Sequence, residues 1–529
     1  MQQSRQSTTA DVIRTAGSAL VRVCDFDPLR EVQYDIWWRD LIAGPTQNDA
    51  GAGSNDFPGI YFFEPRSSTE YCLFFDGAID WRVTECGLTR RGDGVYVGFW
   101  SEVDLDGEIR SRVRKLSQPL DHWDALIELM RWSFEAFPDA PDVDSIPDYW
   151  PTATAAMTEA QDPELSLLTV DGVTGHRTYV ANTSEVWRDA VVDHIELFTQ
   201  ATALWPLRFH LNDRHLHEHQ SWYDHLVGIM GAFYNPALEA FSNTFPLAAG
   251  SPQGGNVITT REQNREATLV WLHIWSLAHL LETALISQDV PWMDELRRAV
   301  DRTVTLARAN RYHFPLFWWL DSGEPRGGVD DFGCAGTYAW LMLRAADLFG
   351  DDSYAQEAAA SLRTLRRLPF DHLYAESTLL PRAAWAANEL ALRTGEGHWR
   401  LMRDGFTAAA LRMLYWRDPH RGMFNACAGM NYPAIFENVG NFVAFEPFLD
   451  DTPFPLRAIL GHQLLGNDQF FDRKPPAPHI PIENLATTEY PFQGAAGKEI
   501  YGLGAVLWLP HLRDLYVGPA AAATSRRRR

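Results

Sequence analysis

The chain has 529 residues, of which 46% are hydrophobic and 12% aromatic, so it is long enough for more than one structural unit with a sizeable core. Its formal net charge of −23 argues against a nucleic-acid-binding protein, because neutralising phosphates requires clustered Lys and Arg. The one basic run, SRRRR, ends the chain, and we expect residues 519–529 to form a disordered basic tail.

The first residues, MQQSRQSTTADVIRTAG, lack the apolar stretch of a secretory signal, and no later run approaches about 18 uninterrupted apolar residues. We therefore expect a cytoplasmic protein without a membrane partner. The 5 cysteines are odd in number and show no CxxC spacing, which favours reduced, buried thiols over disulfides or zinc. We expect no cofactor, and a homo-oligomer is compatible with the sequence.

The first part of the chain predicts β-structure. Segments such as GIYFFE, EYCLFF and GVYVGFW are short, rich in aromatic or β-branched residues and separated by Gly, Asp and Asn. One amphipathic helix, LDHWDALIELMRWSFEAF, follows, and after a Pro/Asp-rich connector come the strand-like runs LSLLTVDG and HRTYVAN. The sequence predicts a β-rich N-terminal domain with one helix over residues 1–182.

From about residue 183 the pattern becomes helical and repeats. An apolar helix ends in a tight polar turn, in which an acid precedes an aromatic residue by three positions, and a charged amphipathic helix follows. We expect the acid to cap the second helix and the aromatic residue to pack back on the first. The three pairs are Asp289 and Trp292, Asp351 and Tyr354, and Glu396 and Trp399.

The two helices of each pair differ in charge. Residues 267–281, ATLVWLHIWSLAHLL, contain no charged residue, whereas residues 291–310 contain many. A helix that is apolar all round is buried, and one with a charged face lies outside. Inner helices starting near 185, 262, 330, 376, 432 and 499 would give six hairpins. The sequence therefore predicts a mainly α fold, an (α/α)6 toroid over residues 183–518 behind the β-rich domain.

Long loops are predicted at one face of this toroid, and the inner helices start there. Five acids lie at or near those starts: Asp330, Asp331, Glu376, Glu437 and Glu499. Each alone is explained by the helix dipole, since an acid in a first turn gains about 0.3 to 1 kcal/mol. Several acids directed at one axis are easier to explain as general acid/base groups, because close carboxylates raise one another's pKa.

The segment GGVDDFGCAGTYAWLMLRAADLFGDDSYAQEA, residues 327–358, resembles unsaturated glucuronyl hydrolases, in which paired Asp residues open a helix that ends in a GD-x-x-Y turn. The helical half as a whole resembles the six-hairpin glycosidase superfamily. The resemblance implies that Asp331 or Asp330 is the catalytic carboxylate. The close match covers about thirty residues of the chain, and fold analogy does not determine activity.

A glycosidase needs one carboxylic acid to protonate the leaving oxygen and one carboxylate to activate water or attack the sugar. We expect Asp331 and Glu437 in these roles, with Asp330, Glu376 and Glu499 next. Candidate substrate-binding residues lie in or beside the long loops, with core packing as the alternative explanation for the aromatic ones. They are Trp318, Trp319, Tyr374, Trp416, Tyr501, His313, His372, His420 and His479.

One histidine-rich stretch, FHLNDRHLHEHQSWYDH, raises the question of a metal. On a strand, His215, His217 and His219 would share a face and could bind zinc. No residue elsewhere has a spacing that completes such a site, and a helical pattern follows directly. We favour a polar loop or the start of a helix, and we predict no metal among the site residues.

These features predict an intracellular carbohydrate-active enzyme, a glycoside hydrolase acting on a small saccharide. The first alternative is a lyase, isomerase or terpenoid dehydratase or cyclase on the same toroid, in which Tyr and His transfer protons. Four tyrosines near the predicted mouth permit it, namely Tyr374, Tyr432, Tyr490 and Tyr501. The second alternative is a non-catalytic saccharide-binding protein.

Overall fold

The structure is a computed structural model. It describes residues 12–15, 18–24, 59–64, 69–76, 83–91, 94–101, 108–116, 120–180, 194–213, 215–246, 259–262, 265–326, 333–368, 376–416, 418–427, 430–487, 491–494 and 497–518.

Strands fill the described part of the first 115 residues. They are β1 Val12–Thr15, β2 Ser18–Cys24, β3 Gly59–Glu64, β4 Thr69–Asp76, β5 Val83–Arg91, β6 Gly94–Ser101 and β7 Glu108–Lys115. They pair antiparallel in two sheets, in the orders β1-β2-β6-β5 and β3-β4-β7. That they form a separate domain ending at residue 182 stays a prediction.

The rest of the chain is dominated by helices. They are α1 His122–Ser133, α2 Trp150–Ala160, α3 Leu197–His210, α4 Gln220–Ile229, α5 Val270–Ser287, α6 Met293–Ala309, α7 Cys334–Phe349, α8 Asp352–Leu365, α9 Leu379–Thr394, α10 Gly397–Leu411, α11 Ile435–Phe445, α12 Leu456–Gly466 and α13 Gly502–Val517.

Short strands occupy the connections. They are β8 Leu167–Val170, β9 Val173–His176, β10 Ile195–Glu196, β11 Tyr234–Asn235, β12 Ala240–Phe241, β13 Thr244–Phe245, β14 Thr259–Glu262, β15 Arg265–Leu269, β16 Phe317–Trp319, β17 Asn425–Cys427 and β18 Met430–Pro433. All form antiparallel pairs, β14-β15-β16 as a three-stranded sheet and the rest as two-stranded hairpins or ribbons.

Six helices form a closed inner ring. In chain order α3, α5, α7, α9, α11 and α13 each pack on the next, and α13 packs on α3. The closure is tight, because a Cβ added at Gly504 of α13 would clash with the carbonyl oxygen of Thr202 of α3. Outside the ring, α4, α6, α8 and α10 pack on the inner helix that precedes each of them, while α2 and α12 pack on α13. The predicted (α/α)6 toroid is confirmed.

The inner helices begin at residues 197, 270, 334, 379, 435 and 502, within about a dozen residues of the predicted positions. Helix α2 was not predicted as a helix. It lies before the expected boundary at residue 182, yet it packs on the inner helix α13. By length and composition α5 is the one described helix that could cross a membrane, but 78% of it is buried inside the ring.

The tight turns lie where the inner helices end, and they are built partly as expected. Asp351 caps α8 by accepting a hydrogen bond from the amide of Ser353 (2.9 Å). The expectation of an acid cap is wrong for the other two turns. Glu396 instead accepts from the Trp399 indole (3.1 Å), and Trp292 rather than Asp289 is the N-cap residue of α6. The three aromatic residues of these turns are buried, as expected.

Candidate active site

Four chain segments meet at the open end of the ring, where the inner helices begin. The amide of Ile500 donates to the carbonyl of Thr178 (2.9 Å), and Tyr179 lies opposite Glu499 in an antiparallel bridge. On the other side, Ile482 lies opposite Lys498, and Ala434 opposite Asn484. The described backbone thus joins residues 178–180, 497–500, 481–485 and 432–434 into a small antiparallel platform.

This platform sets the direction of three polar side chains. Residues directly opposite each other in an antiparallel pair point to the same face, and neighbours along a strand point to opposite faces. Since Ile482 and Lys498 lie opposite each other, Glu483 and Glu499 both point to the other face. Tyr179, which lies opposite Glu499, joins them. A carboxylate pair and a tyrosine therefore share one face, although Tyr179 and Glu499 are about 320 residues apart in the chain.

Glu437 reaches the same place from a helix. It lies in the first turn of α11, whose first residue donates its amide hydrogen to the carbonyl of Glu483 (3.1 Å). Glu437 is deeply set among protein atoms yet partly accessible to solvent, and Glu483 and Tyr501 are partly accessible as well. A deeply set group that solvent can still reach lies on the wall of a recess.

Burial and mutual repulsion keep these carboxyl groups protonated. Burial raises the pKa of Glu437 to about 8, and the charge of Glu483 adds to the shift. Burial likewise raises the pKa of Glu499 well above its usual range, again with a contribution from Glu483. At the start of α3, burial raises the pKa of Glu196 to about 7, against the opposing effect of the Thr178 and Thr199 hydroxyls. Near neutral pH several of these carboxyls hold a proton.

Tyrosine hydroxyls surround the carboxylates. Tyr432 donates to Glu483 Oε1 (3.3 Å). The hydroxyls of Tyr179 and Tyr501 lie close enough to Glu499 to lower its pKa in part, although among the described residues no donor makes a well-formed hydrogen bond to either oxygen of this carboxylate. Burial, together with the Glu499 charge, raises the pKa of Tyr501 far above its usual range. Both tyrosines are therefore neutral proton donors at physiological pH.

An aromatic surface lies beside this acidic group. The Phe198 ring is 5.3 Å from Phe436, 5.5 Å from Tyr501 and 5.8 Å from Trp271, measured between centroids. Each residue comes from the first turn, or the residue before it, of a different inner helix. Trp271 is partly accessible to solvent. Apolar rings next to convergent polar groups are typical of a small-molecule site, and they suit the stacking of a sugar face.

The structure thus brings together Glu437, Glu499 and Tyr501 of the predicted residues. Glu376 lies before α9, where its carbonyl accepts from the amide of Leu379 (3.2 Å), and it is not among the charges that shift the pKa of Glu437 or Glu499. Asp330, Asp331, Tyr374 and His372 lie outside the described residues. Their predicted roles stay predictions, as does that of Tyr490, which also lies outside.

Three other predicted residues are held by packing or an ion pair. Trp318 is fully buried against Phe314, with ring centroids 6.0 Å apart. Trp416 packs on Phe134 (4.6 Å), outside the inner ring. His479 pairs with Glu159 of α2, its Nδ1 lying 2.7 Å from Oε1. Packing and ion pairing account for the positions of these three side chains, and their substrate-binding roles stay predictions.

Three further predicted residues lie in the loops of the open face but are held by local contacts. Trp319 is next to Trp318 in β16 and therefore points the opposite way, with the Arg326 guanidinium 5.8 Å from its ring centroid. His313 closes the turn after α6 through its amide, which donates to Asn310 (3.0 Å). His420 Nε2 lies 3.0 Å from the carbonyl oxygen of Ala486, and burial lowers the pKa of this histidine.

The histidine-rich stretch forms a short helical turn rather than a strand. His215 stacks on Trp150 (4.7 Å), and His219 Nδ1 lies 2.6 Å from Gln161 Nε2. His215 and His219 thus have different surroundings. Within the described ranges, no group of three or more His, Cys, Asp or Glu residues is arranged to hold a metal ion.

Sequence reasoning missed Glu483, Tyr179 and Glu196. Glu483 stands alone in the apolar run HIPIENL of the longest connection, and an isolated acid among apolar residues was an available signal. Glu196 directly precedes an inner helix, as the predicted acids do. Tyr179 was assigned to a strand of the N-terminal domain, and nothing local in the sequence shows its pairing with Glu499.

Comparisons with solved structures give matches at low sequence identity to glycoside hydrolases and a sugar epimerase. A family 76 glycoside hydrolase from a bovine Bacteroides thetaiotaomicron strain is 12% identical, covering 98% of this chain and 99% of its own, with a TM-score of 0.47. The cellobiose 2-epimerase from Spirochaeta thermophila is 14% identical over 75% of this chain and 99% of its own (TM-score 0.46). An unsaturated glucuronyl hydrolase variant from Streptococcus agalactiae is 10% identical over 75% and 96% (TM-score 0.39). No family model matches the chain, and no curated protein matches it.

Proposed function

We propose that the chain is a carbohydrate-active enzyme, a glycoside hydrolase whose reaction takes place at the open end of the ring. The observation that supports this most directly is the pair Glu437 and Glu483. Both are partly accessible to solvent, Glu437 is deeply set, and the charge of Glu483 is close enough to raise the pKa of Glu437. Aromatic side chains from four inner helices line the same recess.

The two carboxyl groups suit the two roles of glycoside hydrolysis. Glu437, with a pKa of about 8, holds its proton at neutral pH and can donate it to the leaving oxygen. Glu483 accepts a hydrogen bond from the Tyr432 hydroxyl, which stabilises a carboxylate, and it is the base that activates water or the nucleophile that attacks the sugar. Glu499 and Tyr501 lie beside this pair and position it.

The experiment is the incubation of purified protein with a panel of disaccharides and unsaturated uronides, with product masses as the readout. Hydrolysis adds one water to a saccharide, and we expect this in the wild type. Glu437→Gln and Glu483→Gln should each lose about 10²- to 10⁴-fold in kcat, because each removes a proton-transfer group. Glu396→Gln, a surface acid at the start of α10, is the matched control and should keep full activity.

One observation favours a second candidate, a sugar isomerase or epimerase. The Tyr501 hydroxyl lies next to Glu499. These two groups alone can transfer a proton to and from a substrate, so an isomerase needs no second carboxylic acid. In that case the product mass would equal the substrate mass, and Tyr501→Phe would lose as much activity as Glu437→Gln. Hydrolysis predicts a smaller loss for Tyr501→Phe, since this hydroxyl then only positions Glu499. An unchanged saccharide panel would contradict both candidates.

A further inference from the structure

An arginine is buried at the centre of the ring. Arg382 lies in the first turn of α9 and is 2% exposed. Its guanidinium carbon lies 4.2 Å from the ring centroid of Trp340 and 5.0 Å from that of Trp275. Trp385 and Trp205 complete the cage at 5.4 and 6.0 Å. Aromatic faces attract a cation, but they accept its N–H hydrogens only weakly.

The donors in this cage lack acceptors. Among the described residues, Arg382 Nε and Nη1 have no hydrogen-bond partner, and no carboxylate lies within ion-pair distance of the guanidinium. Both ring nitrogens of His279 and the indole N–H of Trp275 likewise have no hydrogen-bond partner among the described residues. His279 is 4% exposed and Trp275 1% exposed. Burying unpartnered donors and an unpaired charge is costly, so these groups indicate an acceptor that the chain itself does not supply.

The nearest acid is already engaged. Glu282 accepts a hydrogen bond from the Trp340 indole (3.1 Å), and Arg344 Nε lies 3.8 Å from the same carboxylate oxygen. Arg344 is thus the ion-pair partner of Glu282. Burial lowers the pKa of Arg382 to about 9, so the guanidinium still carries its charge at neutral pH. Burial also lowers the pKa of His279 well below its usual range, which leaves a neutral imidazole with one N–H to donate.

This cage borders the candidate active site. Arg382 and Glu437 both lie in the first turn of their helices, on the neighbouring inner helices α9 and α11. Trp275 joins the two places, because its ring lies 5.0 Å from the Arg382 guanidinium and 5.5 Å from the Phe436 ring, next to Glu437. Packed helix axes are about 8 to 10 Å apart, so Glu437 and Arg382 start neighbouring helices at the same end of the ring.

We propose that Arg382, His279 and Trp275 bind the carboxylate of an acidic sugar, so that the substrate of the proposed active site is a uronic-acid saccharide. This inference rests on the proposed function for its location. A carboxylate accepts several N–H hydrogens in one plane, and a guanidinium donates them in the matching fork. A single negative charge neutralises the single charge of Arg382. The neutral N–H groups of His279 and Trp275 then contribute hydrogen bonds without adding charge.

The experiment measures binding apart from turnover. Calorimetric titration of the full chain carrying Glu437→Gln, at pH 7, compares glucuronic acid with glucose. We expect glucuronic acid to bind about 10- to 100-fold more tightly. Adding Arg382→Met should remove this difference and raise the thermal midpoint, because an apolar side chain of similar volume replaces an unpaired buried charge.

The matched control is Arg344→Met on the neighbouring helix α7. Arg344 is paired with Glu282, Asp347 and Glu389, so its loss should lower the thermal midpoint and leave the preference for glucuronic acid unchanged. Equal affinities for glucuronic acid and glucose would overturn the proposal, as would a preference that survives in Arg382→Met. Glucose 6-phosphate binding as tightly as glucuronic acid would overturn the assignment of a carboxylate. Absence of turnover on every saccharide would contradict the proposed function alone, since the binding preference does not depend on it.

Discussion

Two buried glutamates, Glu357 and Glu499, each lie beside two tyrosines but differ in their hydrogen bonds and ion pairs. Glu357 of α8 accepts from Arg308 Nη2 (2.7 Å) and Nε (3.0 Å), and from the hydroxyls of Tyr312 and Tyr338 (3.1 and 3.2 Å). Glu499 has Tyr179 and Tyr501 nearby, but among the described residues it has no cation and no well-formed hydrogen bond. Glu357 joins three helices, whereas Glu499 lies where the inner helices begin, without such partners in the described part of the chain.

The difference shows that the fold pairs the Glu357 carboxylate with a cation and leaves the Glu499 carboxyl without a hydrogen-bond partner among the described residues. Glu357 is 6% exposed and Glu499 1%, so burial does not distinguish them. What distinguishes them is the cation, since Arg308 pairs with Glu357, whereas burial without a cation among the described residues raises the pKa of Glu499. A group with a strongly raised pKa beside other carboxyls is a candidate for acid–base chemistry, and a paired one is a structural element.

The largest expected effect sharpens this contrast within the proposed site. Glu483→Gln should lower kcat by about 10²-fold or more, and it should also shift the pH profile of the remaining activity. Because the Glu483 charge raises the pKa of Glu437, its removal should move the alkaline limb of kcat/KM from near pH 8 toward lower pH. The profile of kcat/KM from pH 5 to 9, with Glu396→Gln as control, measures both. An alkaline limb that stays in place would show that Glu437 is not the acid.

A smaller effect is expected at the structural glutamate. Glu357→Gln should destabilise the protein by about 2 kcal/mol, because it leaves Arg308 and two buried hydroxyls with a weaker, partly mismatched acceptor. This loss of stability is modest because 61% of the Arg308 side chain is exposed, so solvent screens the ion pair. Urea unfolding at pH 7 measures it. Activity of the folded variant should be unchanged, and a loss of activity without a loss of stability would contradict the structural role.

The sequence predicted one side of this contrast better than the other. Glu437 and Glu499 were identified because they stand at the starts of apolar helices, where position along the chain determines position on the ring. The structural role of Glu357 could not be predicted, since it lies in the charged helix DSYAQEAAASLRTL and resembles a surface acid. Its burial depends on Arg308 and Tyr312, about 45 to 50 residues away.

The aromatic residues show the same limit on what the sequence can predict. Trp318 and Trp319 were both expected to bind substrate, but strand β16 directs neighbouring side chains to opposite faces, and Trp318 is fully buried. Helix periodicity predicted the ring of helices well, because each inner helix is apolar throughout. The platform that carries Glu483 and Tyr179 consists of short backbone bridges between distant segments, and local sequence does not encode such pairings.

The smallest expected effect has the opposite sign to that of Glu357→Gln. Glu499→Gln should stabilise the folded protein by about 1 kcal/mol at pH 8, because a neutral amide replaces a group that resists ionisation in the folded state. The pKa of Glu499 is raised above its unfolded value of 4.5. Below that value the carboxyl is protonated in both states, so variant and wild type should be nearly equally stable there.

As the pH rises above 4.5, the unfolded wild type loses its proton while the folded wild type retains it, and the stability of the wild type falls. The amide does not titrate, so the advantage of the variant should grow from pH 5 to pH 8. Thermal or urea unfolding of both proteins across this range measures the difference, with Glu357→Gln unfolded in parallel. An advantage that is constant with pH would show that Glu499 is ionised in the folded state, and the contrast with Glu357 would then fail.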